Sequence, residues 1–465
     1  MAKTEKHISS EEIKIQKEYI LKVRELIKDK TACVVTYGCQ QNENDSEKLK
    51  GMLCEMGYTL INEREKADVI IFNTCAVREN AELKLKGNVG ALKYLKAKNR
   101  KVLIGVCGCM VQQEKAATTL NQKFRHVDMI FGTHSLYKFP EILYSALMKN
   151  RVLDVMDCDG FIAEDIPVVR DDKFKAWVSI MYGCNNFCSY CVVPYVRGRE
   201  RSRKHEDILK EIQQLANDGY KEITLLGQNV NSYGNDDENE YNFAKLLREV
   251  CKIEGIERVR FATSHPKDIS DELIDAMAEL DKVCPQLHLP FQAGSNKVLK
   301  DMNRGYTKEQ YLKKIDKIKA KIPDISLSSD IIVGFPTETN EDFEETLNVI
   351  KYVEFDSLFT FIYSKRDKTR AALMDGVLSA DEIQKNFDRL LETQNVISKK
   401  INDSYVGKTV EVLVEGASKN NPDALQGRTP ENKIVNFKGD GNLTGKLVKL
   451  RITESKTWSL NGELI

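Results

Sequence analysis

The amino-acid sequence predicts an α/β chain of three folded units: a parallel-sheet domain, an open barrel of strand–helix units and a small β-barrel. Three observations predict it. At 465 residues the chain is too long for one ordinary domain of about 150 residues. Twice along it, short β-rich runs alternate with helical stretches, the pattern of parallel sheets. After about residue 403 the helical period gives way to strand patterns punctuated by glycine.

Residues 1–30 are charged and helical in pattern, with Ser9 and Glu12 at capping-box spacing. They read as an appended surface helix. Over 31–150, strand patterns at 32–37, 67–73, 101–106 and 127–132 are separated by helical stretches at 45–56, 78–98 and 111–120. In parallel sheets ligands bind beyond the carboxyl ends of the strands. Cys39, Cys75 and Cys109 follow the first three strands, on one edge of one sheet. An acidic stretch over 151–173 has no clear period and reads as a linker. Over 174–402, strands at 177–182, 222–226, 258–263, 287–290, 326–333 and 358–363 are each followed by a helix. A closed barrel needs eight such units, so a partial, open one fits better. The tail, 403–465, carries strand patterns at 409–415, 433–437, 447–453 and 458–460, the size of a β-barrel accessory domain that binds nucleic acid.

Composition sets the exclusions. With 42% hydrophobic and 30% charged residues there is material for sizeable cores, which rules out a disordered or fibrous chain. Lys plus Arg and Asp plus Glu balance at 70 each, so any nucleic-acid partner must be held by a local patch. The longest apolar runs, such as 102–111, fall short of the roughly 18 residues that span a bilayer. The opening MAKTEKHISSEE lacks the apolar core of a signal peptide. A cytoplasmic monomer with no membrane partner is expected. The 12 cysteines are too few for a disulfide scaffold, and in a reducing cytoplasm clustered cysteines point to metal or catalysis.

Cys184-Asn-Asn-Phe-Cys188-Ser-Tyr-Cys191 stands on the loop after the first barrel strand. Three close thiolates suit a [4Fe–4S] cluster, which normally takes four cysteines; with three, one iron is left open. Spacing alone also allows a zinc site completed by a distant residue, or three packing cysteines. The triplet resembles the signature of the radical S-adenosylmethionine superfamily. That resemblance implies an open iron that chelates the amino and carboxyl groups of S-adenosylmethionine and delivers the electron that cleaves it to a 5′-deoxyadenosyl radical. Phe187 and Tyr190 stand where the family carries aromatic residues, Tyr190 near the adenine.

A narrower resemblance covers residues 31–465. Thr36-Tyr37-Gly38-Cys39-Gln40-Gln41-Asn42, Asn73-Thr74-Cys75-Ala76-Val77-Arg78 and Gly108-Cys109-Met110-Val111-Gln112 resemble the three N-terminal motifs of the methylthiotransferases. The match continues through Leu226-Gly227-Gln228-Asn229, Ser264-His265-Pro266, Leu289-Pro290-Phe291-Gln292 and Asp330-Ile331-Ile332-Val333-Gly334 to a tail that resembles the TRAM domain. It implies a Rossmann-like N-terminal domain, a partial (βα)6 TIM-type barrel, and a second [4Fe–4S] cluster held by Cys39, Cys75 and Cys109. Cys107 is the ambiguity: two residues from Cys109, it shares a face with it on strand geometry, and the Gly-Cys-Met-x-Gln pattern selects Cys109. Cys33, Cys54, Cys107, Cys158, Cys251 and Cys284 read as small buried hydrophobes. Two S-adenosylmethionine molecules are implied, one as methyl donor to the sulfur and one as radical source, together with an electron donor such as flavodoxin or ferredoxin.

The remaining polar stretches suggest a substrate. Gln228, Ser264, Gln292 and Asp330 fall at strand ends, the functional rim of such a barrel, and read as cofactor contacts. Arg197, Arg199, Arg201 and Arg203 directly follow the cysteine loop and read as contacts to RNA phosphates, with Arg428 in the tail. A second basic run, Lys365, Arg366, Lys368 and Arg370, departs from the family, which usually has a Pro-rich stretch there. The tail segment 427–437 resembles the tRNA-acting branch, whose members put a methylthio group on C2 of an N6-dimethylallyladenosine 3′ of the anticodon. The alternatives are a ribosomal-protein aspartate methylthiotransferase and a non-enzymatic RNA-binding iron–sulfur protein. Lying downstream of the barrel, the tail reads as a separable RNA-binding module.

Overall fold

A computed structural model describes residues 7–77, 79–236, 241–418 and 421–465; residues 1–6 and Arg78 of the expected helical segments lie outside it. Helix α1 (Ser10–Leu26) is followed by β1 (Thr31–Tyr37), α2 (Gln40–Glu55), β2 (Thr59–Leu60), β3 (Val69–Thr74), α3 (Glu79–Lys98) and β4 (Leu103–Cys107). Helix α4 (Glu114–Lys123), β5 (Met129–Phe131), α5 (Phe139–Leu147) and β6 (Val152–Asp154) complete the first domain. Its six strands are parallel, in the order β2-β1-β3-β4-β5-β6. Helices cover both faces: α1, α2 and α5 pack on one, α3 and α4 on the other. Central strand β3 is therefore buried throughout, as a doubly covered parallel strand must be. Strands β2 and β6, two and three residues long, are too short to show a period in the sequence.

Ser9 caps α1 as its spacing indicates, its hydroxyl accepting from the Glu12 N–H at 3.2 Å. The helix is no appendage, however. Ile20 and Val23, three apart on one face, are buried in the first domain's core, and Gln16 donates to Glu141 of α5 at 3.2 Å. The stretch after β6 is not a free linker either. Ile162 is buried, and Arg170 pairs with Glu47 of α2 at 2.8 Å and with Glu211 of the second domain at 2.6 Å.

The second domain opens with β7 (Lys175–Ser179), β8 (Met181–Tyr182), α6 (Val193–Arg197), β9 (Arg201–Ser202) and α7 (His205–Asn217). It continues through β10 (Glu222–Leu226), α8 (Phe243–Lys252), β11 (Arg258–Ala262), α9 (Asp271–Glu279) and β12 (Gln286–His288). After α10 (Asn296–Asp301) and α11 (Lys308–Lys321) come β13 (Ser326–Val333), α12 (Asn340–Val353), β14 (Ser357–Ile362) and α13 (Ala380–Asp403). The six main strands form two parallel halves, β7-β10-β11 and β12-β13-β14, joined by a bridge between Val259 and Val283. Among the described residues β7 and β14 do not pair, so the barrel is open. Its outward side chains, among them Val178, Ile223, Phe261, Leu287 and Leu327, pack under the helices. Its inward positions carry polar groups such as Arg260, His288, Ser328 and Asp330, which places the site inside.

The tail is a closed barrel of β15 (Thr409–Ser418), β16 (Asn421–Arg428), β17 (Ile434–Phe437), β18 (Leu447–Ser455) and β19 (Leu460–Leu464). Strand β16 lacks β-branched residues and so carries no strand signal in the sequence. The tail is fastened to the barrel. Arg258 and Arg260, 4% and 7% exposed on β11, reach out of the barrel floor into it. Arg258 donates to the Arg428 carbonyl at 2.8 Å and pairs with Glu411 at 3.0 Å; Arg260 donates to the carbonyls of Thr429 and Pro430 at 2.8 and 2.7 Å. Hydrogen bonds from charged donors contribute about 1.5–3 kcal/mol each. Deleting residues 403–465 should therefore destabilise the barrel itself by roughly 3 kcal/mol or more; an unchanged barrel transition in calorimetry would contradict this. Among the described residues no helix is long and apolar enough to cross a membrane.

Candidate active site

Strands β1, β3 and β4 are neighbours in the sheet, so the residues beyond their carboxyl ends converge. Cys39 sits at the N-cap of α2, Cys75 directly after β3, and Cys109 two residues past β4. The Cys39 and Cys75 thiols lie against each other. Cys39 is lowered to about 6, first by the Cys75 thiol donating to it, then by nearby Arg197 and the Asn42 and Gln41 N–H groups at the start of α2. Burial pushes Cys109 up, against the pull of Arg197.

The turn at Gly108 puts Cys107 and Cys109 in different surroundings. Gly108 has φ +100, and a Cβ there would stand 2.4 Å from Asn73 Oδ1 and 2.5 Å from the Thr74 carbonyl oxygen, so only glycine fits. The turn ends the strand and breaks its alternation. Cys107 stays in the core with Leu103 and Phe131, while Cys109 joins Ala76, Val192 and Val196. Of the other cysteines, Cys33 and Cys284 are buried and Cys251 is half-buried, whereas Cys54 and Cys158 are exposed, which corrects the expectation of burial for those two.

Cys184, Cys188 and Cys191 lie on the loop after β8, folded back on itself by the Cys191 N–H to Cys188 carbonyl bond at 2.9 Å. Burial pushes Cys184 up to about 12 and raises Cys191 as well. Each cysteine set has one buried guanidinium on one sulfur. Arg304, 4% exposed, donates to Cys188 Sγ at 3.4 Å, to the Tyr190 hydroxyl at 3.3 Å and to the Pro290 carbonyl at 2.6 Å. Arg197, at the end of α6, donates through Nε to Cys109 Sγ at 3.1 Å and pairs with Asp45 of α2 at 2.7 Å. The helix that follows one cysteine loop thus closes over the other. Nothing in the sequence singles out Arg304 or Asp45.

The donor set fits a cluster and a polar cofactor. Cys109, Cys184 and Cys191, raised by burial, are thiols of the kind that a bound metal centre would deprotonate. Among the described residues no three His, Cys, Asp or Glu are grouped to share one metal ion. Around the second cysteine loop Ser189 Oγ, Asn229 Oδ1, Ser264 Oγ, His265 Nε2 and Gln292 Oε1 are buried with no hydrogen-bond partner. Buried polar atoms are rarely left so; a small molecule rich in donors and acceptors would satisfy them. His265 Nδ1 accepts from the Lys267 N–H at 3.2 Å, leaving Nε2 to donate.

Several expected contacts are placed differently. Gln228 Oε1 accepts from the Gly183 N–H at 2.5 Å, and its amide reaches Gln41 at 3.4 Å; it ties the cysteine loop to the first domain. Asp330 faces His288 at 3.4 Å. Phe187 lies edge-on to Tyr195 with the Arg199 guanidinium 4.5 Å over its ring, whereas Tyr190 packs with Ala293, Met302 and Phe335. The arginine run is corrected most. Arg197, Arg201 and Arg203 are buried. Arg203 pairs with Glu164 and Glu211 at 2.7 Å each, and Arg201 donates to the carbonyls of Arg197 and Arg199. Only Arg199 is exposed. Arg428 is half-buried, 3.3 Å from Glu415. Carboxylates of Asp45, Glu164 and Glu211 and, for Arg201, backbone carbonyls hold the three buried guanidiniums inside. Replacing Arg197 by Met should leave Asp45 uncompensated and cost about 3–5 kcal/mol, read by denaturant unfolding.

Three family models match the chain: the radical SAM superfamily over residues 178–350, a family described as Uncharacterized protein family UPF0004 over 31–132, and the TRAM domain over 403–465. The tRNA-2-methylthio-N(6)-dimethylallyladenosine synthase of Acetivibrio thermocellus is 56% identical over 99% of this chain and 98% of its own. That of Alkaliphilus oremlandii is 55% identical over 98% of both chains, and that of Clostridioides difficile 56% identical over 94% of this chain and 92% of its own. Among solved structures, the radical S-adenosylmethionine methyltransferase TsrM of Kitasatospora setae, at 13% identity, superposes with a TM-score of 0.54 over 74% of each chain, a likeness of fold.

Proposed function

The chain belongs to the tRNA-2-methylthio-N6-dimethylallyladenosine synthases, a branch of the radical S-adenosylmethionine methylthiotransferases, and from that premise we propose that Cys184, Cys188 and Cys191 hold one [4Fe–4S] cluster and Cys39, Cys75 and Cys109 a second. The enzyme adds a methylthio group to C2 of N6-dimethylallyladenosine on the 3′ side of the tRNA anticodon, with S-adenosylmethionine as methyl donor and radical source. The observation that carries the assignment is the pair of three-cysteine sets, one on a single loop and one at three neighbouring strand ends, linked by α6 and each with one buried arginine on a sulfur. Bound there, the clusters would supply an electron for cleaving S-adenosylmethionine and a place for the sulfur.

The chain's own residues do the rest. Arg304 and Arg197 donate to Cys188 and Cys109 sulfurs in a low-dielectric setting, where such hydrogen bonds tune reduction potential. Ser189, Asn229, Ser264 and Gln292 aim unpartnered polar atoms where the amine, carboxylate and ribose of S-adenosylmethionine would sit. Ala76, Val192 and Val196 pack around Cys109 and keep water from the space between the loops, which protects a radical from side reactions. The external reductant is a one-electron carrier such as flavodoxin or ferredoxin, and the working unit is a monomer. The domains run from 31 to about 154, from 174 to 402 and from 403 to 465, with the N-terminal helix part of the first.

Mass spectrometry of tRNA nucleosides with and without the gene tests the reading. The methylthio nucleoside should vanish on deletion, leaving N6-dimethylallyladenosine in its place. Its persistence would refute the assignment, and loss of a methylthio group from a ribosomal protein instead would pass it to the other branch.

A further inference from the structure

Of the arginines offered to RNA, Arg197, Arg201 and Arg203 are buried and Arg428 is half-buried against Glu415, which leaves Arg199 alone exposed and calls for a further set of cations. After β14 the chain crosses the mouth of the barrel as a strap. Arg366 Nη2 donates to the Val77 carbonyl at 2.9 Å, two residues from Cys75. The Ala371 N–H donates to the Ser189 carbonyl at 2.8 Å, between Cys188 and Cys191. Asp367 pairs with Lys115 of α4 at 2.8 Å, and Thr369 and Ala371 are buried. The strap is thus fastened to both cysteine loops and to the first domain.

Its remaining side chains point the other way. Lys365, Lys368 and Arg370 are exposed, and no carboxylate among the described residues pairs with any of them. Lys368 sits at φ +69, in a turn that keeps it exposed beside buried Thr369. Leading into the strap, edge strand β14 exposes Phe359 and Phe361, 54% and 44% accessible, on the same face as His288 and Asp330. Unpaired cations beside uncovered aromatic rings are what a single-stranded RNA loop needs: phosphates meet the cations and splayed bases stack on the rings. In a chain of no net charge, such a patch must be local, and this one lies where the target adenosine has to arrive.

We propose that the strap over residues 365–370 is the grip on the anticodon loop, with Lys365, Lys368 and Arg370 on its phosphates and the rings of Phe359 and Phe361 against its bases. The inference rests on the reading of tRNA as substrate. The test compares wild type with Lys365→Gln/Lys368→Gln/Arg370→Gln in binding a prenylated anticodon stem–loop across a salt series. Each phosphate contact on a single strand adds about 0.7 to the slope of log affinity against log salt. The triple variant should show a slope shallower by about 2 and bind at least tenfold more weakly at low salt, with unchanged iron per chain. Equal slopes and affinities in the two proteins overturn the strap while leaving the substrate standing; a wild type that binds no tRNA overturns the substrate reading and the strap with it. Acetylation mapping of the wild type gives a second readout that needs no variant: RNA should protect Lys365 and Lys368 from acetylation, and equal labelling with and without RNA overturns the proposal.

Discussion

Replacing any one of Cys184, Cys188 or Cys191 by Ala should abolish formation of 5′-deoxyadenosine, and with it methylthiolation. Replacing Cys39, Cys75 or Cys109 should leave that cleavage largely intact and end sulfur insertion. The two losses are separable because the sets lie on different domains, each with its own buried cation, Arg304 for one and Arg197 for the other. The internal control is Cys107. It packs in the sheet core behind the Gly108 turn, so Cys107→Ala should remove a buried sulfur, cost on the order of 1 kcal/mol in stability and keep both activities. Iron content, 5′-deoxyadenosine and product, measured on the same reconstituted samples, separate these outcomes. If Cys107→Ala loses sulfur insertion while Cys109→Ala keeps it, the ligand assignment is wrong.

Discrimination for the prenyl group should be the other large effect. The reconstituted enzyme should convert tRNA carrying N6-dimethylallyladenosine and leave the unprenylated tRNA nearly untouched. The group adds five apolar carbons to an otherwise polar base. At about 0.8 kcal/mol per buried methylene, covering it contributes roughly 2–4 kcal/mol, or on the order of 10²-fold in kcat/KM. Val77 and Tyr195 stand exposed beside the two cysteine loops and offer apolar surface for such a group to cover. Competition between the two tRNAs in one reaction gives the ratio directly; equal rates would remove any role for an apolar pocket.

What was legible in the sequence was local. Cys184, Cys188 and Cys191 share one loop, and their spacing limits the chemistry without any knowledge of the fold. Cys39, Cys75 and Cys109 each end a strand, and once strands alternate with helices, parallel pairing brings their carboxyl ends to one edge. The capping of α1 by Ser9 and the open six-unit barrel follow from equally short patterns.

The rest depended on contacts between distant residues. Arg197 and Asp45 are 152 positions apart in the chain and Arg304 and Cys188 116 apart; no local pattern joins either pair. A buried arginine paired with a carboxylate reads in sequence like an exposed one, so the run from Arg197 to Arg203 could not be told from the strap at 365–370. The same holds for Arg258 and Arg260, whose reach into the tail makes two sequence modules one structural unit. Sequence by itself determined which cysteines share a loop or end a strand and in what order the main strands and helices run, because those depend on spacing along one segment. Only the tertiary structure decided which charges face solvent, because burial depends on what other segments bring to the same place, and a cation surrounded by carboxylates and carbonyls is stable where an unpaired one is not.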